Sequence, residues 1–99
     1  MLSIETPSEV AESLARRVRE TRLRANWSRA TLAARSGVSQ GSLIRFERSG
    51  RISLQNLLGL ALALGHLEDF NQLFRGEEVE SIAELEQQVS AKKRQRGRR

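Results

Sequence analysis

One face of a predicted helix over residues 40–48 carries Arg45 and Arg48, whose guanidinium groups can hydrogen-bond to phosphates and to base edges. The opposite face carries Leu43 and Phe46, because residues three or four apart share one side of an α-helix. An α-helix fits the major groove of DNA, and guanidinium or short polar side chains near its N-terminus reach base edges there. A surface helix with a solvated polar face is the alternative interpretation. The segments around this helix bear on the choice.

The segment in front of this helix has the pattern of a second short helix followed by a tight turn. Ser28 can accept a hydrogen bond from an orphan backbone N–H and so begin the earlier helix, and Ser39 can do the same for the later one. Gly37 lies where the chain must turn, since glycine adopts a positive φ without steric cost. Val38 supplies the apolar side chain of the turn. Two short helices joined in this way over residues 28–50 favour the DNA-binding interpretation.

The charge of the chain is unevenly distributed, although its net value is only +5. Residues 1–12 contain three acids and no base, and residues 13–51 contain ten arginines against two acids. Residues 52–91 contain one arginine against seven acids, and residues 92–99 contain six bases. Basic clusters attract phosphates and steer association with nucleic acid. A solvated surface of mixed charge is the alternative, but ten arginines against two acids favour a polyanionic partner.

Length and composition indicate one small domain with a core of modest size. Because the chain has no cysteine, it has neither disulfides nor thiolate metal ligands, which suits a reducing compartment. The longest apolar run, residues 57–65, is nine residues long and too short to cross a membrane. The N-terminus lacks the basic and apolar regions of an export signal. We therefore expect a cytoplasmic protein without a membrane partner.

A capping box formed by Thr6 and Glu9 predicts a first helix over residues 7 to about 25. The apolar stripe of this helix includes Arg22, whose burial is costly unless the guanidinium has a partner. Glu47 is the only nearby acid that also falls on an apolar stripe. The pattern predicts a structural ion pair between Arg22 and Glu47. The alternative is that Arg22 extends its side chain to water.

Two further helices are predicted after Gly50. Ser53 is the N-cap of a fourth helix over residues 54–64, which is apolar on nearly every side and is expected to be central to the core. Its main apolar stripe comprises Leu54, Leu57, Leu58, Ala61 and Leu62. A fifth helix over residues 67–74 carries more apolar side chains than the end of a monomer needs, which indicates a two-fold dimer contact.

The single histidine and the single tryptophan have structural interpretations. His66 lies in a turn between helices with no second ligand at metal-binding spacing, so no metal site is predicted. Trp27 is expected at the boundary of the core, because proteins that bind single strands interleave several aromatic residues. No catalytic residue and no cofactor are predicted, since the chain has no Cys or Tyr and no glycine loop that could cradle phosphates. An enzyme is therefore the least favoured class.

The composition changes after residue 76. Residues 77–91 form an acidic extension, in which Ser81 begins a second capping box and a marginal helix from about residue 82 to residue 91. Residues 92–99, KKRQRGRR, are too charged to pack and are expected to be disordered. This basic tail can serve solubility alone, bind phosphates or dock a partner.

Residues 17–76 resemble the Cro/cI-type (XRE) helix-turn-helix regulators. The matching stretches are LAARSGVSQGSLIRFERSG and SLQNLLGLALALG, and the resemblance covers about 60 of the 99 residues. It implies an all-α, five-helix, lambda repressor-like domain over residues 7–76, followed by a C-terminal extension. It further implies a homodimer that binds double-stranded operator DNA with its third helix in the major groove. The pair of Arg22 and Glu47 is also a feature of that family.

The resemblance assigns DNA contacts position by position. Base-reading positions of the family fall on Gln40, Ser42 and Arg45. Phosphate-binding positions fall on Arg29, Ser39 and Arg48. Arg29 replaces the glutamine usual at the start of the second helix, and Gly41 replaces a side chain that often reads a base. The spacing between Glu47 and Leu54 is also about one residue shorter than is common.

Within this family, the ISLQNLLGLALALG stretch and the basic-ended extension are similar to HipB-like antitoxins of HipA-type kinase modules. That similarity implies a repressor that autoregulates a toxin–antitoxin operon and binds a serine/threonine kinase toxin. Some such modules divide the antitoxin task between two small proteins. The alternative, from another class, is a protein-interaction module that docks a partner through residues 77–86 and the tail, with DNA binding secondary.

Overall fold

The computed structural model of the protein describes residues 5–76, which form five α-helices and no strand. In chain order the helices are α1 (Pro7–Arg24), α2 (Arg29–Ser36), α3 (Gln40–Ser49), α4 (Leu54–Leu64) and α5 (Leu67–Asn71). The all-α, five-helix fold predicted from the sequence is confirmed. The acidic extension predicted for residues 77–91 and the basic tail at residues 92–99 lie outside the described residues.

Hydroxyl side chains begin the first four helices. Thr6 accepts a hydrogen bond from the backbone N–H of Glu9 at 3.1 Å, and the Glu9 carboxylate accepts one from the N–H of Thr6 at 3.0 Å. Ser28, Ser39 and Ser53 each accept the N–H three residues further on, at 3.0–3.1 Å. A cap of this kind contributes about 1 kcal/mol to stability. All four predicted caps are confirmed, and they fix where each helix begins.

The core lies between the inner faces of α2, α3 and α4. Its largest fully buried side chains are Phe46, Leu32, Leu43 and Leu60. Val38, in the turn between α2 and α3, is also buried and closes the end of this cluster. Because α3 contributes two of the four largest core residues and packs against both α1 and α2, its rotation about its own axis is fixed.

Two glycines with positive φ set the ends of α2 and α3. Gly37 (φ +77°) ends α2 and turns the chain into α3, and a Cβ built there meets no atom within 4 Å. Gly50 (φ +81°) ends α3, and a Cβ there would lie 3.0 Å from backbone atoms of both Ala11 and Glu12. The first position therefore needs glycine for its conformation alone, whereas the second needs it also because α3 ends directly against α1.

The predicted stripe on α4 is only partly buried. Leu57, Leu60 and Ala61 are buried, but Leu54 and Leu62 are 66% and 65% exposed. Since α4 packs chiefly against α2 and α5, these neighbours bury one side of it and leave the side of Leu54 and Leu62 at the surface. The helix is therefore part of the core, as expected, through Leu57 and Leu60, whereas the Leu54 and Leu62 part of the predicted stripe lies outside it.

The fifth helix is shorter than predicted, because it ends at Asn71 rather than at Phe74. His66 makes no side-chain cap at its start, and a five-residue helix gains little from cooperative hydrogen bonding. The chain then continues in turns, and Phe74 adopts a positive φ of 62° with its ring fully exposed.

Candidate nucleic-acid interface

The outer face of α3 is polar, basic and open. Gln40, Arg45 and Arg48 are exposed there, while Leu43 and Phe46 on the same helix are at most 1% exposed. The buried residues hold the helix in place, so the polar side chains project together from a rigid element. Such a surface presents amide and guanidinium donors on one side of a helix that fits the major groove of DNA.

The hydroxyls of Ser39 and Ser42 are bonded to each other at the start of α3. The Oγ of Ser39 accepts the N–H of Ser42 at 3.1 Å and donates to the Oγ of Ser42 at 3.0 Å. The two hydroxyls therefore lie side by side at the N-terminus of α3, with the Ser39 oxygen held by its capping bond.

Two shallow clefts meet at Arg45. One is lined by Ser42 and Asn56 and the other by Arg48, and Arg45 and Arg51 line both. The three arginines are therefore neighbours at the C-terminal half of α3, and their like charges favour an anionic partner. The first cleft also reaches the start of α4, where the N-terminal N–H groups of a helix favour negative charge.

Arg51 was not singled out from the sequence. A hydroxyl fixes its position, since the Oγ of Ser49 accepts the N–H of Arg51 at 3.2 Å and donates to the carbonyl of Arg45 at 2.7 Å. The available signal was spacing: Arg45, Arg48 and Arg51 recur every three residues. That signal is obscured because Gly50 interrupts the helix before Arg51.

A buried carboxylate beneath the interface ties three helices together. The side chain of Glu47 is 1% exposed, and its oxygens accept hydrogen bonds from the Nε of Arg22 at 2.9 Å and from a terminal nitrogen of Arg22 at 3.1 Å. The other terminal nitrogen of Arg22 donates to the carbonyl of Trp27 at 2.9 Å. The structure thus brings the predicted partners Arg22 and Glu47 into one bidentate ion pair, which is the strongest geometry for this pair of groups.

Arg29, which was predicted to hold a phosphate, is also bonded to Glu47. Its Nε donates to a Glu47 oxygen at 2.9 Å, and 39% of its side chain is exposed. The buried contact orients the guanidinium at the start of α2, and the exposed part lies at the surface. Two positive groups therefore share one buried carboxylate, and only one of them reaches solvent.

Trp27 and His66 lie apart from the outer face of α3. Trp27 packs against the core, and the guanidinium carbon of Arg35 lies 4.6 Å from the centre of its ring. His66 pairs with Asp69 at 3.0 Å, and both side chains are largely exposed. Within residues 5–76 no three Asp, Glu, His or Cys side chains gather where they could bind a metal ion.

A helix-turn-helix family model matches residues 18–70, which is more than half of the chain. The match covers the turn at Gly37, the whole of α3 and the buried pair of Arg22 and Glu47. The chain belongs to the helix-turn-helix family. It is therefore a DNA-binding transcription regulator of the Cro/cI type, a family of regulators rather than of enzymes. Comparison of the whole sequence with curated proteins, in contrast, gave no match.

The described helices of this helix-turn-helix protein give no candidate for crossing a membrane. Over residues 5–76, each helix is either too short or too polar to pass through a lipid bilayer.

Proposed function

We propose that this helix-turn-helix protein is a sequence-specific transcriptional repressor that binds double-stranded operator DNA as a homodimer. The observation that carries the proposal is the division of α3 into a buried apolar face and an exposed face with Gln40 and Arg45. Because the buried face fixes the helix, the backbone that carries the exposed side chains is already in place for base edges before DNA binds.

The contacts divide into those that read bases and those that hold phosphates. Gln40, Ser42 and Arg45 would read bases, with the glutamine suited to adenine and the arginine to guanine. Arg29, Ser39 and Arg48 would hold phosphates. Ser39 would act at the N-terminus of α3, where its hydroxyl caps the helix. To these we add Arg51, because it shares both clefts with Arg45.

Exposed apolar side chains near the C-terminal end of the described domain support the proposed homodimer. Leu62 and Phe74 are exposed, and Leu67 is more than one-third exposed. Large apolar residues exposed close together in sequence are typical of a protein contact surface. A two-fold dimer would present two copies of α3 to successive major grooves of a palindromic site.

Selection of bound duplexes from a random pool tests the proposal. We expect the full chain to enrich one palindromic motif whose half-sites are separated by about one helical turn of DNA. The matched control is Arg75→Ala, which removes one arginine remote in sequence from α3 and should enrich the same motif. Enrichment of no motif, with equal affinity for all duplexes at every salt concentration, would contradict sequence-specific binding.

We further propose that the operon controlled is a toxin–antitoxin operon and that the chain binds a HipA-like serine/threonine kinase toxin. The support is the similarity of the ISLQNLLGLALALG stretch and the basic-ended extension to HipB-like antitoxins. In the competing proposal, the chain is chiefly a protein-interaction module that docks the partner through its acidic extension.

Co-purification separates these two proposals. The full chain and a chain truncated after Gly76 are each purified with the candidate kinase. Retention of the kinase by both chains would place the dock on residues 5–76, whereas loss on truncation would place it on the extension. If neither chain retains the kinase, the toxin–antitoxin proposal fails, while the DNA-binding proposal stands on its own test.

A further inference from the structure

An apolar groove of about 690 Å³ runs between α1 and the pair formed by α4 and α5. Its wall on α1 carries three apolar residues at intervals of four, and its other wall comes from α4 and α5. The lining includes Val10, Leu14, Val18, Ala61, Phe70 and Leu73. Val10 and Leu73 are about half exposed, so the groove is an uncovered apolar surface of the kind that normally contacts another element.

The chain leaves the described structure beside this groove. Leu73 lines one wall, and Gly76, only three residues later, is the last described residue. The next apolar residues in the sequence are Val79, Ile82, Leu85 and Val89. At about 100° per residue, the last three fall on one side of a helix within roughly 60° of each other. An apolar stripe of this kind is typical of a helix that packs in an apolar groove rather than of a tail exposed to water.

We propose that residues 82–89 of the same chain lie in this groove as a helix, with Ile82, Leu85 and Val89 against α1, α4 and α5. The dimensions agree. The stripe from Ile82 to Val89 is about 10 Å long, and the wall from Val10 to Val18 is about 12 Å long, at 1.5 Å per residue. The chain between Gly76 and Ile82 can reach up to about 20 Å, which is enough to place the stripe anywhere along the wall.

The tether favours this occupant over a second molecule. A link of only five residues, 77–81, holds the stripe at an effective concentration of the order of mM beside the groove. The isolated helix is marginal, so it would form only where an apolar surface covers its stripe. Charge does not direct the docking, because the groove is lined by Arg17 and Arg24 together with Glu20 and Asp69. Docking should therefore change little with salt, in contrast to DNA binding.

Paramagnetic relaxation in the full chain tests the proposal, since the chain has no native cysteine. A spin label is attached at Gln87→Cys, which lies opposite the stripe on the helix. We expect the amide signals of Leu14 and Val18 on α1 to broaden and those of Ala34 and Gly41 on the other helices to remain sharp. No broadening in the groove would overturn the proposal.

Two matched variants and a mixed sample sharpen the test. Leu85→Asp, in the stripe, should abolish the broadening, whereas Ala83→Asp adds the same charge on the opposite side of the helix and should leave it intact. Broadening that survives Leu85→Asp would overturn the proposal. Isotope-labelled chain without the spin label is also mixed with spin-labelled chain at natural isotope abundance. Broadening of Leu14 and Val18 in that mixture as strong as in the singly labelled full chain would show that a second copy fills the groove, which also overturns the proposal. None of these outcomes depends on DNA.

Discussion

At the scale of single residues, the buried carboxylate of Glu47 acts from inside the domain, through its bonds to two arginines. It neutralises Arg22 inside the domain and orients Arg29 at the surface. A buried ion pair is not in general a large net source of stability, but removing one partner leaves the other charge buried and uncompensated. The carboxylate therefore links the stability of the domain to the placement of the surface arginine that we propose binds phosphate.

Glu47→Gln is expected to lower the free energy of unfolding by about 3–5 kcal/mol, because Arg22 would stay buried without a counter-charge. In a domain of this size such a loss lowers the melting temperature by roughly 12 °C or more. Thermal denaturation followed by circular dichroism measures it. Asp69→Asn is the control, since it removes an exposed carboxylate paired with His66 and should have almost no effect. Equal melting temperatures for wild type and Glu47→Gln would show that the pair is dispensable.

Arg29→Ala is expected to weaken binding to every duplex alike and to reduce the salt dependence of affinity by about one charge. The physical reason is that a phosphate contact carries no sequence information. Fluorescence anisotropy over a range of salt concentrations, at a temperature where the variant is folded, measures the slope. Arg75→Ala removes the same charge elsewhere and should leave the slope unchanged. If the slope for Arg29→Ala equals that of wild type, Arg29 serves only to neutralise Glu47.

The ion pair of Arg22 and Glu47 could be predicted from the sequence because both residues interrupt an apolar pattern. Arg22 and Glu47 stood out because each is a charge on an apolar stripe, and the structure places them together. The bond between Arg29 and Glu47 gave no such signal, because Arg29 lies at a polar helix start where solvent is the default partner. Arg51 was missed because its position depends on how the chain turns after Gly50, which spacing alone does not specify.

At the scale of elements, the two glycines that end α2 and α3 test how closely the helices must approach. Gly37→Ala should cost about 1–2 kcal/mol, the penalty for an L-residue in the left-handed region. Gly50→Ala should cost clearly more, since its Cβ would also press on backbone atoms of α1 at 3.0 Å. Urea denaturation of the two variants measures both. Equal losses would mean that α1 and α3 can separate without cost.

The helix starts were predictable because capping is local. A serine or threonine followed by a helical pattern fixes its own hydrogen bond, and four such sites were found. The extent of burial was not predictable in this way. Leu54 and Leu62 were placed inside because α4 is apolar all round, but burial depends on which neighbours exist. The end of α5 was also missed, because nothing local in the sequence marks it.

At the scale of the whole molecule, the exposed ring of Phe74 is a testable contact of the proposed homodimer. Phe74→Asn keeps a residue that tolerates the positive φ at this position and removes the apolar ring. We expect it to shift the protein toward monomer in analytical ultracentrifugation and to weaken binding to a palindromic site more than to a half-site. Leu23→Asn alters an exposed leucine on α1 and should leave the oligomeric state unchanged. A wild-type protein that is monomeric at all concentrations would contradict the dimer.

The architecture of the domain followed from the sequence more completely than its assembly. Five amphipathic or apolar segments, four of them with a start signal, leave few ways to form a single small core. The turn at Gly37 and the buried side chain of Val38 fix the angle between α2 and α3. Assembly depends on surfaces that a single chain leaves uncovered, so the sequence can indicate such surfaces only through an excess of apolar residues.

The most direct test of the account is the affinity of wild type and of Arg45→Ala for the selected operator with each base pair changed in turn. If the exposed face of α3 reads bases, Arg45→Ala should lose discrimination of about 1–3 kcal/mol at roughly one base pair per half-site and keep it elsewhere. A uniform loss at every position, like that expected for Arg29→Ala, would show that α3 holds the backbone and does not read the sequence.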